Sequence, residues 1–298
     1  MRVLVTGATG LIGRVLCRAL VEEGHAVQAL TRQEAPRGLP PGVELVRGDP
    51  AAPGRWQEVL AGCDACLNLA GEPVAGGRWT EARKRAIRDS RVLATHNVAA
   101  VVADRGPSVL VNGSAVGYYG PRGDEELDEA APPGSDFLAR TCLEWEGAAA
   151  PAAKRARVVL LRTGIVLARE GGALRQMALP FRLFAGGPIG DGSFWQSWIH
   201  LADEVGLAAW TLREERAAGP VNATAPAPAR NRDLARALGR ALNRPSFLPA
   251  PALAVRALLG EMAEVVLTGQ RVLPVKALEL GYRFRFPDLE GALDDLFR

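Results

Sequence analysis

The sequence predicts an α/β protein built on a doubly wound parallel sheet, with a smaller lobe after it. Three observations carry this. Apolar β-runs alternate with helical spacings through the first half of the chain. A glycine-rich turn, TGATGLIG, joins the first run to the first helix. After Gly164 the alternation breaks into shorter elements punctuated by proline. Strands apolar on both faces and separated by helices imply a parallel sheet covered on both sides.

Taken in order, RVLVTG is the first strand and LIGRVLCRALVEEG a helix ending at Gly24. HAVQALTR, VELVRGD and ACLNLAG are three further strands. TEARKRAIRDSRVLATHNVAAVVADRG has the spacing of one long amphipathic helix, and SVLVNGS is a fifth strand. FLARTCLEWEGAAAPAAKRA is helical and leads to a sixth strand, RVVLLRTG. In the second half GGALRQMALPFRLFAGG is a helix running into a turn, FWQSWIHL a strand, and ADEVGLAAWTLREERA a helix. GPVNAT is a short strand, NRDLARALGRALN a helix, and short elements follow from Pro245.

Composition narrows the function classes. The chain has 298 residues, 48% hydrophobic and 23% charged, which is ordinary for a globular protein. Its net charge of +3 is spread along the sequence, with no basic block, so a nucleic-acid partner is not expected. No apolar run reaches membrane-span length, and the N-terminus reads as a strand rather than an export signal; a cytoplasmic protein is expected. Cys63 and Cys66 form a CxxC, but Cys66 falls inside ACLNLA, so both are expected as core residues. With Cys17, Cys142, His25, His96 and His200 they give no metal-ligand spacing, and no metal is expected. Lysines are only Lys84, Lys154 and Lys276, so a catalytic lysine would be easy to locate.

The glycines of TGATGLIG fall at Gly7, Gly10 and Gly13. They suit, in turn, a tight turn, close approach of a pyrophosphate to bare backbone, and helix-to-strand packing. The helix N-terminus then presents free N–H groups to the phosphates, with Thr9, Leu11 and Ile12 completing the loop. Position inside a βαβ unit turns a common glycine pattern into a strong dinucleotide signal. The next strand ends in ALTRQEAPR, which puts Thr31 and Arg32 where an NAD enzyme carries an acid. Arg32 suits a 2′-phosphate, so NADP(H) is favoured over NAD(H); the competing reading is a solvated loop arginine.

The GxxGxxG spacing resembles the extended branch of the short-chain dehydrogenase/reductase superfamily. Further motifs occur in order: RWTEARKRAIRDSR (78–91), GSAVGYYG (113–120), GGPIGDGSFWQSWIHLADEV (186–205) and GQRVLPVKALELGYRFRFPDLEGAL (269–293). Together they resemble a poorly characterised branch of the NAD-dependent epimerase/dehydratase family, one with a C-terminal domain of unknown function. The resemblance implies a Rossmann-type NADP(H)-binding domain over residues 1–164, to which some later segments return. It also implies a substrate-side lobe over residues 165–298, with 245–298 as an appendage. Leu69, Ala70 and Gly71 become cofactor neighbours by this resemblance, and Asp49 an adenine neighbour. Arg91 either touches the dinucleotide or belongs, like Lys84 and Arg85, to a solvated basic face.

Enzymes of this superfamily usually place a serine after the fifth strand and YxxxK on the next helix, a tuned phenol for acid/base work. Here Ser114 stands in the serine position, but Phe137 and Thr141 replace the tyrosine and lysine. Two readings follow. In one, Tyr118 or Tyr119 donates a proton toward the nicotinamide, with Ser114 orienting a small-molecule substrate: a carbonyl, hydroxyl or sugar-nucleotide compound in an oxidoreductase or isomerase. In the other, the protein binds NADP(H) without turnover, as a sensor or scaffold. The resemblance also offers Trp79, Pro180, Phe181, Arg182, Trp195, Gln196, Trp198 and His200 as substrate-side residues. For Trp195 and Trp198 an interface-core role competes, and for His200 an orienting one. Oligomeric state is left open.

Overall fold

A computed structural model describes residues 1–75 and 77–297. The chain runs β1 (Arg2–Thr6), α1 (Leu11–Glu22), β2 (Ala26–Thr31), β3 (Glu44–Arg47), α2 (Trp56–Ala61), β4 (Ala65–Asn68), α3 (Glu81–Arg105) and β5 (Val109–Ala115). It continues with β6 (Glu126–Leu127), α4 (Phe137–Ala149), β7 (Arg157–Thr163), β8 (Ile165–Leu167), α5 (Gly172–Arg182), β9 (Trp195–Gln196), β10 (Trp198–His200) and α6 (Leu201–Arg213). Last come β11 (Gly219–Ala223), β12 (Ala229–Arg230), α7 (Asn231–Leu242), α8 (Ala252–Leu259), α9 (Ala263–Leu267), β13 (Arg271–Val272), α10 (Val275–Glu279) and α11 (Leu289–Phe297).

The central sheet has seven strands in the order β11-β7-β5-β4-β1-β2-β3, every pair parallel. The order reverses direction beside β1, and such a switch point opens a crevice at the carboxyl ends of the strands. Burial follows position. Every residue of the inner strand β4 is buried, whereas edge strand β3 buries only Val46. Helix α1 buries Gly13, Leu16, Cys17 and Leu20, the i, i+3, i+4, i+7 stripe of a helix laid on a sheet. Cys63 and Cys66 are buried with Trp56, Leu60 and Val98 in the core on the other face.

Two segments of the second half are built into the first unit. GPVNAT is β11, the outermost strand beside β7. α6 packs its Val205, Leu207, Ala208 and Leu212 into the same core as α1. The expected strand FWQSWIHL is split at Ser197: β9 pairs antiparallel with β12, β10 parallel with β8. Three ties fix the break. Ser197 O accepts from Ile165 N at 2.8 Å, and its Oγ donates to Gln270 O at 2.7 Å and accepts from Val272 N at 2.9 Å. The segment thus serves two small sheets. Among the described residues, no helix is long and apolar enough to cross a membrane.

Candidate dinucleotide and substrate site

The loop between β1 and α1 is shaped by what its glycines lack. Gly7 sits at φ +66°, and a Cβ there would lie 2.6 Å from Leu69 O. A Cβ on Gly13 would lie 2.3 Å from Gly7 O. A Cβ on Gly10 would meet, among the described residues, only Gly7 O at 3.2 Å, so the space above it is open. Gly10 is also the N-cap of α1, with no side-chain cap and no acid in the first turn. The first amides of α1 around Leu11, Ile12 and Gly13 therefore lack an internal counter-charge, and Thr9 flanks them half-buried. That open, uncapped cradle fits a dinucleotide pyrophosphate.

A buried polar network fixes the neighbouring strand ends. Thr6 Oγ1 donates to Asn68 Oδ1 at 2.6 Å and accepts the amides of Leu69 and Ala70, each at 3.1 Å. Asn68 Nδ2 donates to Asn112 Oδ1 at 2.7 Å and Thr95 Oγ1 at 2.8 Å, and Trp145 Nε1 donates to Thr95 Oγ1 at 2.9 Å. This set was not anticipated. Its signal was present, as polar residues closing apolar strand runs in VLVT, ACLN and VLVN. It holds Leu69 and Ala70 by backbone and leaves Gly71 exposed beside the crevice.

At the end of β2, Thr31 is buried and its hydroxyl accepts the Gln33 amide at 3.1 Å, which shapes the loop. Arg32 projects outward, its side chain 68% exposed, 3.9 Å from Asp49 and 3.8 Å from Glu72. Arg91 is spent on structure. Its Nη1 donates to Glu72 O and Ile87 O, both at 2.9 Å, and its guanidinium stands 5.2 Å from the Trp145 ring. Desolvation holds its pKa below the usual arginine value. It is neither solvated nor free, but a strut under Gly71.

The positions of the missing pair are closed off. Asp136 caps α4 by accepting Ala139 N at 2.8 Å, which puts Phe137 in the first turn with its ring edge-on to Trp79 at 5.0 Å. Thr141 Oγ1 donates to Phe137 O at 2.8 Å. Ser114 is buried and its Oγ donates to Glu146 Oε1 at 2.6 Å, while Arg162 clamps both oxygens of Glu146 at 2.8 and 2.9 Å. Ser114 therefore points into a buried ion pair. Tyr119 is fully buried; its hydroxyl donates to Asn222 Oδ1 at 2.7 Å and accepts from Arg162 Nη1 at 2.9 Å. Burial pushes its pKa up to about 12, and its hydroxyl is taken up by these internal partners. Tyr118 stays half-buried, with the Arg162 guanidinium 3.5 Å from its ring centre.

The substrate-side candidates separate in the same way. Trp198 is fully buried and donates Nε1 to Ala227 O at 2.9 Å, so it is lobe core, as is Phe181. His200 is 4% exposed and caps α6, its Nδ1 accepting the Ala202 amide at 3.1 Å while its ring stacks on Phe286. Desolvation lowers its pKa, so it is a neutral structural cap. Gln196 is buried and accepts from Asn231 Nδ2 at 3.2 Å. The Trp195 ring already lies 4.5 Å from Arg230 and 4.7 Å from Arg271, and its Nε1 donates to Asp124 at 2.6 Å. Trp79 is half-buried, with Nε1 on Val74 O; Pro180 and Arg182 are exposed at the end of α5.

The model of the NAD-dependent epimerase/dehydratase family matches residues 3–223. The chain belongs to that family. Residues 250–296 match a domain of unknown function, DUF1731, so this family member carries the C-terminal module that its motifs resembled. The chain is 44% identical to the chloroplastic epimerase family protein SDR39U1 homolog of Arabidopsis thaliana, over 98% of this chain and 86% of that one. It is 41% identical to the epimerase family protein MT2273 of Mycobacterium tuberculosis, over 98% and 96%. The crystal structure of human epimerase family protein SDR39U1 (isoform 2) with NADPH superposes with a TM-score of 0.88, at 36% identity over 99% of both chains. An NAD(P)-type epimerase fold is thus shared over the full length.

Proposed function

We propose that this protein binds NADP(H) and acts as an oxidoreductase- or epimerase-like enzyme on a small carbonyl, hydroxyl or sugar-nucleotide substrate. The observation that carries the reading is the uncapped α1 N-terminus behind an open glycine cradle, with exposed Arg32 across the crevice for a 2′-phosphate. The human relative crystallised with NADPH supports the same assignment. When bound, the nicotinamide supplies two-electron oxidation or reduction at a carbon bearing oxygen. Gly7, Gly10, Gly13 and the α1 amides would hold the pyrophosphate, and Leu69 to Gly71 would line the ribose. With Phe137 unable to give a proton and Tyr119 buried, Tyr118 is the phenol left to serve as acid, its ring 3.5 Å from the Arg162 guanidinium.

A second reading is a non-catalytic NADP(H) sensor or scaffold. It is favoured by Thr141 bonded back to Phe137 O and by Ser114 turned into the Glu146–Arg162 pair. Titration with NADPH, followed by a turnover panel of carbonyl and sugar-nucleotide compounds, separates the two. Turnover that disappears in Tyr118→Phe while NADPH binding persists supports the enzyme. Binding with no turnover across the panel supports the sensor, and absence of binding overturns both.

A further inference from the structure

One guanidinium is suspended between two carboxylates at the carboxyl edge of the sheet. Arg32 Nη1 lies 3.9 Å from Asp49 Oδ2 and Nη2 lies 3.8 Å from Glu72 Oε1. Both distances exceed a hydrogen bond, so these are charge contacts, and the Arg32 side chain remains 68% exposed. The carboxylates, by contrast, stand on fixed backbone. Glu72 N donates to Ser90 Oγ at 3.0 Å, Glu72 O accepts from Arg91 at 2.9 Å, and its second carboxylate oxygen lies 3.5 Å from Arg83. Asp49 Oδ1 accepts the Ala51 amide at 3.0 Å, at the turn after β3.

We propose that Asp49 and Glu72 set this protein's preference between 2′-phosphorylated and unphosphorylated dinucleotides, by competing with the 2′-phosphate for Arg32. The inference rests on the dinucleotide-binding reading above. A 2′-phosphate reaching Arg32 brings a charge of about −1.5 to −2 against two anchored negative charges. A plain ribose brings a 2′-hydroxyl, which a carboxylate can accept. The same pair therefore handicaps NADPH and gives NADH a foothold, leaving a site of modest discrimination. All three side chains are substantially exposed, at 68%, 43% and 36%, so the effect is a screened surface one. Neutralising one carboxylate near a dianion then shifts affinity about threefold to tenfold at low salt.

The test is a tryptophan-fluorescence titration with NADPH and with NADH. It compares the unaltered protein, Glu72→Gln, Asp49→Asn, Arg32→Ala and the Arg32→Ala/Glu72→Gln double variant. At low salt, Glu72→Gln and Asp49→Asn should each tighten NADPH about fivefold while NADH is unchanged or weaker. That gain should vanish near about 1 M salt, where the screening length is about 3 Å. In the Arg32→Ala background, Glu72→Gln should change the preference between coenzymes less than it does with Arg32 present, leaving only the direct effect of the carboxylate on the ribose substituent. Weaker NADPH binding in Glu72→Gln would overturn the proposal, since Glu72 would then merely position Arg32. An equal change for both coenzymes, or a gain that survives high salt, would overturn it too. If the unaltered protein binds neither dinucleotide, the functional reading falls as well; if it binds and the variants leave the preference unmoved, only this inference falls.

Discussion

Glu204, in the first turn of α6, is fully buried, and desolvation raises its pKa to about 8. One oxygen accepts from Thr163 Oγ1 at 2.8 Å, and the other has no partner among the described residues. The folded protein therefore prefers the protonated acid, while the unfolded chain releases the proton near the ordinary value of 4.5. Above that value the unfolded state binds fewer protons, so stability falls as pH rises and levels off beyond about 8. Each unit costs about 1.4 kcal/mol, giving about 3 kcal/mol at pH 7 and a ceiling of about 5. Glu204→Gln keeps the shape and the acceptor for Thr163 but has no proton to lose. Urea unfolding of both proteins, followed from pH 5 to 9, checks the sum. The variant should lead by no more than about 1 kcal/mol at pH 5 and by about 3 kcal/mol at pH 7. Other titrating groups are common to both proteins and cancel in the difference. Parallel curves across the range, or a lead that shrinks with rising pH, would refute the reasoning.

Three other outcomes are expected. Gly13→Ala puts a Cβ 2.3 Å from Gly7 O and 2.7 Å from Ala8 Cα, so backbone must move; the thermal shift given by NADPH should be lost. Glu146→Gln strands the Arg162 charge, which is 2% exposed; the denaturant midpoint should fall by the equivalent of about 3–5 kcal/mol. Tyr119→Phe removes a buried hydroxyl between Arg162 and Asn222 and should cost about 1–3 kcal/mol of stability, whereas Tyr118→Phe should leave the melting temperature nearly unchanged.

Six of the seven strands of the central sheet were legible because their signals are local. Strand runs of apolar residues, the α1 stripe and the TGATGLIG turn each act within a dozen residues. The two segments that return to the first unit were harder. Nothing in GPVNAT distinguishes an edge strand of a seven-stranded sheet from a strand of a small lobe; its pairing with β7 does. FWQSWIHL reads as one strand, and only the ties from Ile165, Gln270 and Val272 to Ser197 break it in two.

By itself, then, the sequence determined the fold class, the glycine-rich turn between β1 and α1, a cation after β2 and the absence of a tyrosine and lysine where the family usually has them. Those features depend on residue type at a given position and on spacing along the chain. Tertiary structure decided which of the remaining polar and aromatic side chains face the crevice. Ser114 meets Glu146 across 32 residues and Tyr119 meets Asn222 across 103, and a buried polar group takes whatever partner the packing brings. Direction of burial is a long-range property, which is why spacing along the chain could not tell that Ser114, Tyr119, Trp198 and His200 are buried against internal partners.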